Sequence, residues 1–145
     1  MESFLIIGAG RFGSALACEL ASLGHEVLVI DKSEEKIEAI ADYVTHSVIA
    51  DARDEGVMDS LGVVDFDVAV VANAGSIEDS VLVTIMLKER GVRRVIAKAK
   101  DMLHMKVLER LGADEIVFPE RDMGKPSSHS LACSFKFISN ATSSF

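Results

Sequence analysis

Little in this chain marks it as secreted, metal-bound or embedded in a membrane. Only two of 145 residues are cysteine, Cys18 and Cys133, and they form no CxxC pair. His25, His46, His104 and His129 are equally scattered, so there is no zinc-ligand spacing. Cys18 stands among Ala15, Ala17 and Leu20 and reads as a buried structural thiol. Tyr43 is the single tyrosine, and no His or Tyr/Lys pair is spaced for proton transfer. Basic residues are in deficit: 15 Lys and Arg against 23 Asp and Glu leave a net charge of −8. That balance disfavours nonspecific binding to DNA, RNA or anionic lipid. The chain is 49% hydrophobic, yet no apolar run reaches the length of a bilayer span. The opening segment "FLII" is too short for a signal peptide and no basic region precedes it. A cytosolic protein is expected, held near any membrane only by a protein partner.

What the chain does contain is alternation. Short β-type runs, "SFLIIG", "EVLVID", "SVIAD", "FDVAVVAN", "RRVIAKA" and "EIVFPE", are separated by segments of helical period. These are Arg11–Leu23, Ser33–Ala41, Asp54–Leu61, Ser76–Arg90 and Met102–Leu111. The runs are continuously apolar, as a sheet covered on both faces requires, and three helices close at Gly24, Gly91 and Gly112. Six strands alternating with helices predict an α/β fold: a Rossmann-like, doubly wound parallel six-stranded sheet of order 3-2-1-4-5-6 with right-handed crossovers. This domain is expected over residues 1–124. Beyond it the composition changes: residues 125–145 are rich in serine, and no Asp or Glu follows Asp122. That tail reads as irregular, either an expression- or frame-derived extension or a truncated helix.

The stretch "FLIIGAGRFGSAL" carries the chemistry. Gly8, Gly10 and Gly13 give G-x-G-x-x-G between a strand and a helix, the context that motif requires. Gly8 permits the tight turn, Gly10 lets backbone approach a pyrophosphate, and Gly13 lets the helix pack on the sheet. Free N–H groups at the helix start then hold phosphates. Asp31 ends the second run, 21 residues after Gly10, where an acid accepts from the adenosine ribose hydroxyls and repels a 2′-phosphate. In "IADARD", Asp51 reaches the rim beside Asp31 or is a turn aspartate. Asn73 and Ala74 end the fourth run across the switch point. Ser76 is best read as the cap of the next helix, with Asp79 in place of the usual Glu or Gln of a capping box. Lys98 faces either the crevice or solvent at a sheet edge. Glu120 by itself is an ordinary acid at a helix start. Phe12, Lys32 and Ala52 adjoin the turn and the two acids and complete the candidate cofactor-binding set. No catalytic or metal-binding residue is assigned.

"GAGRFGSAL", "GHEVLVID", "IADARD", "VVANAG", "RRVIAKAKD" and "HMKVLERLGADEIVFPERDMG" together resemble the RCK or KTN (TrkA-N) domain of bacterial Trk and Ktr potassium-transport regulators. The resemblance implies a non-enzymatic regulatory domain that binds NAD(H), ATP or ADP. It implies self-association into dimers and octameric rings, and gating of a membrane potassium transporter or channel subunit from the cytoplasmic side of the inner membrane. By position it assigns the phosphate turn to Gly8, Gly10 and Gly13, the ribose to Asp31 and the adenosine end to Asp51. Glu120 is assigned to the phosphates or an associated cation at the subunit contact. It gives Arg11 to nucleotide phosphates. A guanidinium beside N–H groups that already serve a pyrophosphate fits the extra terminal charge of ATP or ADP; the alternative is a solvent-facing arginine. The family's C-terminal ligand-sensing domain and crossover helix have no counterpart in the 125–145 tail, so a dimer is the expected minimum. The other reading of the residues is the cofactor domain of a truncated NAD-dependent dehydrogenase.

Overall fold

The computed structural model describes residues 1–72 and 76–118. Expectations placed on Asn73, Ala74, Glu120 and the 125–145 tail lie outside the described residues. The elements are β1 (Ser3–Ile7), α1 (Arg11–Ser22), β2 (Glu26–Asp31), α2 (Glu34–Ile40), β3 (His46–Ile49), α3 (Glu55–Leu61), β4 (Val68–Val71), α4 (Ile77–Glu89), β5 (Val95–Lys98), α5 (Met102–Arg110) and β6 (Glu115–Val117). Short 3-10 turns cover Ala41–Tyr43 and Val63–Asp65. The strands form one parallel sheet of order β3-β2-β1-β4-β5-β6, as the alternation predicts.

Strand periodicity builds two cores. In β1, Phe4 and Ile6 pack on one face with Phe12, Leu16 and Leu20 of α1 and Ile37 and Ile40 of α2. Leu5 and Ile7 point to the other face, against Met58 of α3, Val83 and Leu87 of α4 and Leu108 of α5. A strand with both faces covered has no polar alternation to show, which is why β1, β4 and β5 read as unbroken apolar runs. β3 differs. It is an edge strand, and its residues are exposed or half-buried. β6, at the other edge, is reduced to three residues with only Val117 in the core.

Four helices are stopped by glycine in the left-handed region: α1 by Gly24, α3 by Gly62, α4 by Gly91 and α5 by Gly112. Four are started by a side chain. Ser33, Asp54, Ser76 and Asp101 accept from backbone N–H groups of α2, α3, α4 and α5. Such caps typically contribute about 1 kcal/mol each.

The close packing of α1 on β1 rests on Gly13. A Cβ built there would stand 1.9 Å from the Gly8 carbonyl oxygen, which is backbone and cannot rotate away. Gly13→Ala is therefore expected to push α1 off the sheet and cost at least about 1–3 kcal/mol in urea unfolding. An unchanged unfolding midpoint would contradict this packing.

Candidate functional site

The site begins where β1 ends. Gly8 takes φ +107°, a conformation that side-chain-bearing residues rarely adopt. Its N–H donates to the Ile30 carbonyl at 2.9 Å, and the Ala72 N–H donates to the Ile7 carbonyl at 2.8 Å. The turn is thus tied to β2 on one side and to the end of β4 on the other. The Ala9 N–H donates to Asp31 Oδ2 at 2.8 Å, and Asp31 Oδ1 accepts from the Ser33 N–H at 2.8 Å. The acid expected at the ribose is also the fastener of the glycine turn.

α1 stands apart from the other four helices. Its N-cap is Gly10, with no side-chain cap and no acidic residue in its first turn. The first turn of a helix leaves N–H groups without intrahelical partners, and its dipole end is positive. Leaving that end without a cap and without a counter-charge keeps it suited to an anion. Gly10 faces open space: a Cβ there would meet nothing within 4 Å. Gly13 is closed by backbone and Gly10 is open, as the phosphate-turn reading requires.

A cleft of about 250 Å³ lies along the C-terminal ends of β1, β2 and β3. Its walls include six of the residues singled out from sequence: Gly8, Gly10, Asp31, Lys32, Asp51 and Ala52. Ile7, Ile30, Ala50 and Val83 give it an apolar floor. Lys36, Arg53 and Asp79 also line it, and sequence reading did not assign them to it. A second depression of about 310 Å³ between α1 and α2, lined by Ala9, Ser14, Cys18, Lys36 and Tyr43 among others, is slightly larger. It has neither an acid nor a glycine backbone in its wall, so the smaller cleft is the better ligand site.

Asp51 does two things. Its Oδ1 accepts from the Arg53 N–H at 2.9 Å, the turn role, and its carboxylate lines the cleft. Arg53 grips that carboxylate through Nε at 3.0 Å and Nη2 at 2.7 Å, and reaches Asp79 Oδ1 through Nη1 at 3.2 Å. The bridge joins the β3–α3 turn to the first turn of α4 across the cleft mouth. Ser76 caps α4 as read, accepting from the Asp79 N–H, while the Asp79 side chain turns to Arg53.

The remaining candidates fall elsewhere. Arg11 is exposed at the start of α1, forms no ion pair among the described residues and is not in the cleft wall. The Phe12 side chain is buried in the core, so its contribution to a ligand is confined to backbone. Lys98 corrects one expectation: β5 lies between β4 and β6, and Lys98 is only 7% exposed, so it is not a solvated edge residue. It does not line the cleft either. Cys18 is half-buried against the α1 core, and burial raises its thiol pKa. No cluster of metal-ligating side chains occurs among the described residues.

Sheet order and glycine turn define a Rossmann-like domain, and the cleft lies on the β1–β2–β3 side of the switch point between β1 and β4. The chain belongs to the TrkA-N domain family, whose model matches residues 4–119. It is 45% identical over 131 residues to Ktr system potassium uptake protein A of Bacillus subtilis, a match covering 90% of this chain and 59% of that protein. The chain therefore spans somewhat over half the length of that relative. The NAD(P)-binding domain of an exopolyphosphatase-related protein from Archaeoglobus fulgidus shares the fold, with TM-score 0.74, 24% identity and 99% coverage of both chains. So do structures of the GsuK channel. The ADP-bound form has TM-score 0.73 and 22% identity over 85% of this chain and 32% of that one. The NAD-bound form has TM-score 0.70 and 21% identity over 80% and 21%.

Arg53 should be visible in the titration of its partner. Hydrogen bonds from Arg53 hold the Asp51 carboxyl at about 2, below its ordinary 3.8. A depressed carboxyl pKa adds stability above the unfolded value, and that stability is lost as pH falls from about 3.8 to about 2. The pair is about 40% exposed, so the effect on unfolding is screened and small. Carboxyl NMR should find Asp51 near 2 in the wild type and clearly higher in Arg53→Ala, short of a full return to its ordinary value because the backbone N–H of residue 53 still donates to it. Equal values in the two proteins would contradict the bridge.

Proposed function

We propose that the chain is the nucleotide-binding regulatory domain of a potassium-uptake system. It binds an adenine nucleotide, NAD(H), ADP or ATP, in the β1–β2–β3 cleft and acts on a membrane-embedded potassium transporter or channel subunit. The observation that carries this reading is the open Gly10 at the uncapped start of α1, beside Asp31. Membership of the TrkA-N family supports the transport assignment, and the NAD- and ADP-bound forms of GsuK support the ligand class. Phosphates sit on the α1 N-terminus, the ribose hydroxyls reach the unused lone pairs of Asp31, and the base enters between Ile30, Ala52 and Arg53. Asp31 disfavours a 2′-phosphate, so NADP is not the ligand. No helix among the described residues is long and apolar enough to cross a membrane. Family membership supports a domain that works from the cytoplasmic side through its membrane partner.

One titration series tests the reading. Gly10→Ala has room for its methyl group and an ordinary φ of −76°, so it should unfold within about 0.5 kcal/mol of wild type. It should nevertheless lose nucleotide binding, because the methyl group occupies the approach to the pyrophosphate. Arg11→Ala should weaken ATP by about 10- to 150-fold and NADH by less, since the exposed guanidinium serves best the ligand with most terminal phosphate. Nucleotide binding by Gly10→Ala as tight as wild type would refute the cleft. Equal losses of ATP and NADH in Arg11→Ala would make Arg11 a general pyrophosphate contact.

Regulation through shape needs at least two subunits whose relation the ligand biases. Met102 and Leu103 stand 50% and 70% exposed at the start of α5, and they are the proposed self-association surface. Light scattering should show a dimer or larger particle that Leu103→Asp reduces to 15.6 kDa. A wild-type particle of single-chain mass at high concentration, with and without nucleotide, would contradict it.

A further inference from the structure

The Arg53 bridge has no role in the phosphate turn, yet it forms part of the cleft wall. Its geometry limits what it can recognise. The bidentate grip of Asp51 and the contact with Asp79 take three of its five N–H groups and fix the guanidinium plane. Its charge is already met by two carboxylates, so little of it is left to attract a phosphate. What it offers is a flat, polarised face: the Arg53 side chain is still 41% exposed. The same cavity supplies apolar surface from Ile30, Ala52 and Val83. A slot with an apolar wall and a fixed guanidinium plane suits an uncharged aromatic ring better than an anion.

We propose that Arg53 is the base-recognition residue of this cleft, stacking its guanidinium plane on the purine ring of the bound nucleotide. This rests on the nucleotide-binding reading above and extends it. Asp51 and Asp79 act here as clamps: they hold the plane and suppress its attraction for phosphate. Because Asp51 follows β3 and Asp79 opens α4, a stacked base spans the two halves of the fold.

The test uses the whole chain with ADP and with its fluorescent 1,N6-etheno analogue. Arg53→Gln and Arg53→Lys should both weaken ADP by about 2- to 30-fold, the range of a desolvated to an exposed cation–π contact. Both should expose the etheno base to acrylamide quenching from which the wild type shields it. The side chain is on the surface, so urea unfolding of both variants should match wild type. Recovery of wild-type affinity in Arg53→Lys would overturn the proposal, since charge without a plane would then suffice. Tighter ADP binding in Arg53→Gln would also overturn it, by showing that the bridge plugs the slot. Unaltered ADP binding in both variants overturns the stacking role alone. A wild-type chain that takes up no adenine nucleotide overturns the nucleotide reading and this assignment with it.

Discussion

The Asp31 carboxylate holds the site together. One oxygen takes the Ala9 N–H of the glycine turn and the other takes the Ser33 N–H at the start of α2, each at 2.8 Å. Charge-assisted bonds of this length are among the stronger polar contacts in a protein. They link the end of β1 to the end of β2 at the point where the chain must bend twice. A carboxylate has about four acceptor sites, so two bonds to backbone leave capacity for a ligand hydroxyl. The turn is therefore shaped before any ligand arrives, and binding need not order it. Substituting Asp31 would disturb the scaffold as well as the ribose contact, so Gly10 and Arg53 are cleaner probes of the cleft.

Around that fastener, charge is arranged locally. The chain as a whole carries −8, which repels nucleotides at a distance. In the cleft, Asp31, Asp51 and Asp79 are matched by Lys32, Lys36 and Arg53. On the proposed reading, phosphate affinity depends on the uncapped α1 start and on Arg11, which forms no ion pair among the described residues, and base selection depends on the shape of the slot.

Much of this was legible in the sequence because its signals are local. A glycine with φ above zero, an apolar run, or a serine three residues before an N–H to be capped each leaves a mark at its own position. Gly8, Ser76 and the six strands were readable on those terms, and Gly10 and Gly13 through their fixed spacing from Gly8. Edges were less so: β3 and β6 came out partly exposed because each has one strand neighbour, which an apolar run does not reveal. Lys98 stayed open between crevice and edge, since a charged side chain in a strand fits either, and only the fold shows that it lies inside the sheet. Arg53 was invisible because its meaning depends on Asp79, 26 residues away and joined to it only by the fold.

The central claim is that one preformed cleft, at the ends of β1, β2 and β3, receives the adenine nucleotide. Amide ¹H–¹⁵N spectra of the chain titrated with ADP test it most directly. Saturable shifts should fall on Gly8, Ala9, Gly10, Arg11, Asp31 and the Asp51–Arg53 turn. Shifts confined to the Ser14, Cys18 and Tyr43 depression between α1 and α2, or no saturable shift at all, would contradict it.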